Sequence, residues 1–317
     1  MIYTKKEAKA YALKNMKGIW AAALNPFKKD YSFDSEGFKQ NINHWIEDLE
    51  IDGLFICGKQ GEFFSMSIEE RKDNFSIAVD ETSGRAKTIM SCSDQNFDNV
   101  VELGKHAQKI GADFIVVHAP VLNFISDRNE ILYNYYKKLC DELDIGIAMW
   151  SHPDSGYLME PELCAKISDL PNIVAIKYSV PRQMYAKLTK IVGDKILVST
   201  ASEKEWLDNI IELNWKVYLC SSPPYLLQTK KDKRMQKYTN LAFKGSIKEA
   251  KKVSNSLEKI REAFKNSQPK SKPHAHQKYW QELIGQVGGY VRFPSIELTN
   301  KEKQIIEKSL ANCGLLL

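Results

Sequence analysis

Eight short apolar runs recur along this chain, each about 20–35 residues after the last, and segments of helical period separate them. They are GIWAAALNPF (18–27), GLFICG (53–58), AKTIMSCS (86–93), DFIVVHAP (113–120), IGIAMWSHP (145–153), NIVAIKYS (172–179), KILVSTAS (195–202) and KVYLCSSPP (216–224). The runs are almost continuously apolar, as parallel strands covered on both faces require. Between them, FDSEGFKQNINHWIEDLE sets Phe38, Ile42, Trp45, Ile46 and Leu49 on one helical stripe. Ser67 with Glu70 three residues later reads as a capping box. Eight such units without a long break predict a closed (β/α)8 TIM barrel over residues 1–225, in preference to an open doubly wound sheet. Residues 226–317 read as a helical C-terminal extension, with the Pro- and Lys-rich stretch SQPKSKPHAHQ (267–277) as a connector.

Composition narrows the function classes. The 317 residues are 43% hydrophobic and 27% charged, as in ordinary globular proteins, and the net charge of +5 is too small to argue for nucleic acid as a partner. The densest basic run, TKKDKRMQK (229–237), reads as a solvated helix face. The six cysteines show no CxxC spacing, so neither a disulfide framework nor a zinc site is expected. No run reaches the roughly 18 apolar residues of a membrane span, and the N-terminus has no apolar core of signal-peptide length. A cytoplasmic protein without membrane contact is the expectation. His274 and His276 form a lone pair in a polar stretch, too few for a metal site.

A barrel of this kind carries its chemistry at the C-terminal ends of its strands. There the sixth run holds a lysine, Lys177, with Ala175 and Ser179 on the same side. Facing the interior, its amine would lose water, favour the neutral form and attack a carbonyl. Facing outward, it would be a surface lysine reaching for water. After the second run, Gly58-Lys59-Gln60-Gly61 makes a glycine-bracketed turn into a helix, a place where backbone N–H groups can receive an anion such as a keto-acid carboxylate.

These two motifs together resemble the dihydrodipicolinate synthase / N-acetylneuraminate lyase family. GKQGEFFSMSIEER (58–71) is similar to its Gly-Thr-Thr-Gly-Glu turn and following helix start, PNIVAIK (171–177) to its Schiff-base lysine segment, and GGYVRFPSIELT (288–299) to its Gly-x-x-Arg-x-Pro tail. The resemblance runs from about residue 18 to the C-terminus and implies Lys177 as the Schiff-base nucleophile, with a homodimer or homotetramer as the assembly. Departures are as informative. Trp150 stands where the family has a catalytic tyrosine, Lys59 and Gln60 replace the two threonines, and Leu122 replaces a further tyrosine. Indole cannot exchange a proton as a phenol does. The usual relay is therefore missing, which argues against both lysine-biosynthetic synthase activity and the standard sialic-acid lyase reaction.

Two replacements for the relay suggest themselves. His152 lies two residues beyond Trp150, on the same side of the strand, and Lys59 could bring a cation beside the amine. His118 reads as a packed strand histidine. The expected site thus comprises Lys177, His152 and Lys59 as catalytic groups, with Gly58, Gln60, Gly61, Trp150, Ser179, Thr200, Tyr218 and Ser221 around the substrate. Trp150, Phe63, Phe64 and Tyr178 should make its mouth aromatic. The expected activity is that of a lyase, an aldolase working on pyruvate or another 2-keto acid and an aldehyde, with no metal or cofactor. A dehydratase on a hydroxylated keto acid and a non-catalytic keto-acid-binding protein are the alternatives.

Overall fold

The computed structural model describes residues 2–315. Its strands are β1 (Gly18–Ala22), β2 (Gly53–Ile56), β3 (Lys87–Ser91), β4 (Phe114–His118), β5 (Gly146–Ser151), β6 (Ile173–Tyr178), β7 (Leu197–Ser199) and β8 (Val217–Ser221). Each lies inside one of the eight apolar runs, and helices alternate with them, so the fold is a (β/α)8 barrel followed by C-terminal helices. The sheet order is β7-β6-β5-β4-β3-β2-β1-β8. Most strand residues are buried, which is why the runs carry no polar alternation. The Ser67 capping box forms as expected, with Ser67 Oγ accepting from the Glu70 N–H at 3.1 Å and Glu70 Oε2 accepting from the Ser67 N–H at 3.0 Å.

The chain divides into two compact units, residues 1–20 with 87–220 and residues 21–86 with 221–317. In the first, β3 to β7 pair in parallel and in sequence order. The register makes His118 the partner of Trp150, Trp150 the partner of Lys177, and Lys177 the partner of Ser199. Ser199 also joins β7 to β8. Its hydroxyl donates to the Val217 carbonyl at 2.8 Å and accepts from the Leu219 N–H at 2.8 Å. A helix, Ala8–Asn15, precedes β1. Just before it, the Tyr3 hydroxyl donates to the Asp113 carbonyl and accepts from the Gly146 N–H at 2.9 Å.

In the second unit two expectations change. The stretch 267–277 is only partly a connector, because the helix Pro273–Leu283 starts inside it with proline in its first turn. The basic run 229–237 is not simply solvated. Lys230 pairs with Asp48 at 2.7 Å, Lys233 pairs with Glu50, and Arg234 pairs with Asp232 at 2.6 Å before the helix Arg234–Phe243 proceeds.

Candidate active site

Lys177 lies one residue before the end of β6 and is 2% exposed. Its Nζ lies 4.5 Å from the centroid of the Trp150 indole, itself 3% exposed. Two forces act on this amine. Loss of water favours the neutral form, and the electron-rich indole face favours the cation. The Cys220 thiol is close enough to feel it: burial pushes that thiol up to about 12, with the Lys177 charge pulling the other way. Tyr178, next in the strand, points to the opposite side, as alternation demands. Its hydroxyl donates to the Met159 carbonyl, so it is no part of an aromatic mouth around Lys177.

Around this strand end the expected residues divide by what holds them. His152 serves as the N-cap of the short helix Pro153–Ser155; its Nδ1 accepts from the Asp154 N–H at 3.1 Å and lies 3.1 Å from Asp154 Oδ1. Its ring centroid is 6.3 Å from that of Trp150. Ser179 donates its N–H to the Ser151 carbonyl, while its buried Oγ has no hydrogen-bond partner. Thr200 is buried just past β7. Tyr218 donates its hydroxyl to the Ala201 carbonyl at 2.8 Å and packs its ring 5.9 Å from Trp206. His118, read as a packed strand residue, is only part-buried and meets the Trp150 indole edge to face, 4.7 Å between centroids.

The second unit carries the turn 58–61. Residues in left-handed backbone conformation flank it, Cys57 at φ 53° and Glu62 at φ 55°, positions that cost a side-chain-bearing residue energy and tend to mark functional sites. Crowding calls for glycine at 58, where a Cβ would stand 2.1 Å from the Phe55 ring, and at Gly61 a Cβ would come tightly, at 3.2 Å, against the Ala23 carbonyl oxygen. The N–H groups of Gly61 and Glu62 are consumed within the turn, by the Gly58 and Lys59 carbonyls at 3.0 and 3.1 Å. Those two N–H groups are therefore engaged inside the turn. The buried Gln60 Oε1 has no hydrogen-bond partner. Phe63 lies under the Arg71 guanidinium, Phe64 is exposed, and Ser221 is half-buried at the end of β8.

The helix Pro273–Leu283 holds this turn from behind, which the sequence reading missed. His274 donates from Nε2 to the Lys59 carbonyl at 2.9 Å. One helical turn on, Lys278 Nζ lies 2.5 Å from Glu62 Oε1, with side chains 1% and 0% exposed. Lys278 also donates to the Tyr290 carbonyl and lies 4.4 Å from the Phe27 ring centroid. Burial lowers the affinity of Lys278 for its proton, and Glu62 opposes that. Burial likewise lowers the His274 pKa, so its hydrogen bond is that of a neutral imidazole. Glu62 Oε2 accepts from the Arg292 N–H at 3.2 Å, and Arg292 forks onto Glu70 at 2.7 and 3.1 Å. The hint in the sequence was a lysine three residues after Ala275, on the same face of this helix. His276 pairs with Ser267 Oγ at 2.9 Å, so the two histidines look in different directions.

Fold and site together define a class: a (β/α)8 barrel with a buried lysine at the C-terminal end of its sixth strand. The chain belongs to the dihydrodipicolinate synthetase family, whose sequence profile matches residues 15–313. It is 32% identical over 190 residues to an N-acetylneuraminate lyase of Clostridium perfringens, a match covering 59% of this chain and 65% of that relative's length. Among solved structures it is similar to a dihydrodipicolinate synthase at 25% identity, with a TM-score of 0.81 and coverage of 94% of this chain and 99% of that one. An N-acetylneuraminate lyase from Fusobacterium nucleatum shares the fold at 23% identity, with a TM-score of 0.82 and coverage of 93% and 98%.

Proposed function

We propose that this chain is a class I lyase that forms a Schiff base between Lys177 and pyruvate or another 2-keto acid, and makes or breaks a carbon–carbon bond to an aldehyde. The observation that carries this is the Lys177 amine, buried at the end of β6 against an indole face. The Lys177 nitrogen attacks the keto carbon and water leaves, so the resulting iminium draws electrons from the adjacent C–C or C–H bond. Gly58, Gln60 and Gly61 line the place of the carboxylate, with the Gln60 side-chain N–H as the donor to it. His152 and Lys59 carry protons to and from the carbinolamine oxygen. Trp150, Ser179, Thr200, Tyr218 and Ser221 surround the substrate. Residues 1–225 form the barrel and 226–317 its extension, working in the cytoplasm as a homodimer or homotetramer. Among the described residues no helix is long and apolar enough to cross a membrane.

Incubation with pyruvate and borohydride, followed by intact-mass measurement, tests this. A stable adduct is expected on the parent protein and none on Lys177→Ala. Failure of the parent to trap any of several keto acids would refute the catalytic function and favour a keto-acid-binding protein, for which the tryptophan at position 150 is the supporting feature. Product analysis then separates the lyase, which releases an aldehyde, from a dehydratase, which yields a deoxy-keto acid.

A further inference from the structure

Three side chains stand level on neighbouring strands: His118 on β4, Trp150 on β5 and Lys177 on β6 are successive cross-strand partners. Partners in register on a parallel sheet present their side chains to the same face. The contacts agree, with the imidazole edge to face with the indole at 4.7 Å and the amine 4.5 Å from the indole centroid. The indole therefore touches both the amine and the imidazole, and the Lys177 charge is near enough to act on His118.

The tautomer of His118 follows from its partners. Nδ1 lies 2.8 Å from the Ala119 carbonyl oxygen, which can only accept, so Nδ1 carries the proton. Ser155 Oγ lies 3.3 Å from the same nitrogen and gives its own proton to that carbonyl at 3.1 Å. Nε2 is left with its lone pair. Burial lowers the His118 pKa to about 4; the Ala119 carbonyl raises it, His152 and Lys177 lower it, and Asp154 raises it. The ring is thus neutral at physiological pH. His152 differs, because its Nδ1 lone pair is taken by the Asp154 N–H.

We infer that His118 Nε2 is the base that removes and returns the proton on the carbon next to the imine, a role the sequence left without an owner once Trp150 replaced a phenol. This inference rests on the Schiff-base function proposed above. In the step, the C3–H bond breaks, its proton goes to Nε2, its electron pair forms C2=C3, and the iminium nitrogen takes the C2=N pair to become a neutral enamine. The reverse returns the proton.

Pyruvate alone suffices as a probe. In D2O, methyl exchange is followed by NMR, and borohydride trapping is measured in parallel. His118→Asn keeps a donor where Nδ1 stood and deletes Nε2; His118→Gln is the second variant. The parent should trap and exchange pyruvate. Both variants should trap it at parental levels and exchange it about 10²-fold or more slowly, the usual contribution of a positioned base. Exchange within a few-fold of the parent in trapping-competent variants overturns the assignment, as does a parent that traps without exchanging. Loss of trapping in variants that melt like the parent would move His118 to imine formation and also overturn it. A parent that does not trap refutes the Schiff-base function itself, a separate result.

Discussion

Lys278→Met should destabilise the protein sharply. The change removes a cation whose nitrogen lies 2.5 Å from Glu62 Oε1 and leaves that carboxylate in a place with 0% exposure. What remains to Glu62 is the N–H of Arg292 at 3.2 Å. Removing one partner of a buried ion pair typically costs about 3–5 kcal/mol, mostly because the other charge stays behind without water. For a chain of this size that lowers the melting temperature by roughly 5–8 °C. The double variant Glu62→Gln/Lys278→Met removes the stranded charge as well and should recover a large part of the loss. Calorimetric or urea unfolding of the parent, both singles and the double gives the cycle. Additive effects of the two single changes would refute the reasoning, since they would mean that neither charge depends on the other. Because the same pair anchors the 58–61 turn, Lys278→Met should also raise the KM for pyruvate.

Three further outcomes are expected. Ser199→Ala leaves the Val217 carbonyl and the Leu219 N–H without their shared partner and should cost about 1–3 kcal/mol in urea unfolding. Arg292 and the Ser67 cap hold the Glu70 carboxyl below its ordinary value of 4.5, so its contribution is complete above that pH and fades as acid protonates it. Glu70→Gln should therefore be less stable than the parent at pH 7, with the gap narrowing below pH 4.5. His118 runs the other way. Its native pKa of about 4 lies under the ordinary 6.5, so the unfolded chain binds more protons between those values and stability drops as pH falls through that window. His118→Asn should lose less stability than the parent over the same interval in pH-dependent unfolding.

Much of the fold was legible because the information is local. A strand buried on both faces must be apolar along its length, so eight runs announced eight strands, and a serine three residues before a glutamate announced a helix start. The lysine at position 177 was legible for the same reason: a charged residue in such a run is an exception that the run itself exposes. Alternation could also have excluded Tyr178 from the side of Lys177, and the structure puts it with Met159 instead. The connector was misread because a proline, which ends helices from within, is equally at home at their first turn.

What local pattern cannot carry is partnership across the chain. Glu62 and Lys278 lie 216 positions apart, and neither residue's neighbours specify the other. The tautomer of His118 depends on a carbonyl orientation and on Ser155, and the capping role of His152 depends on the backbone path through Pro153. Sequence by itself determined the strands, the barrel and the amine at the end of the sixth strand, since burial of an element leaves its mark on consecutive residues. Only the tertiary structure decided which charge neutralises which and which imidazole keeps an open lone pair, because those depend on distances between segments that the order of residues does not encode.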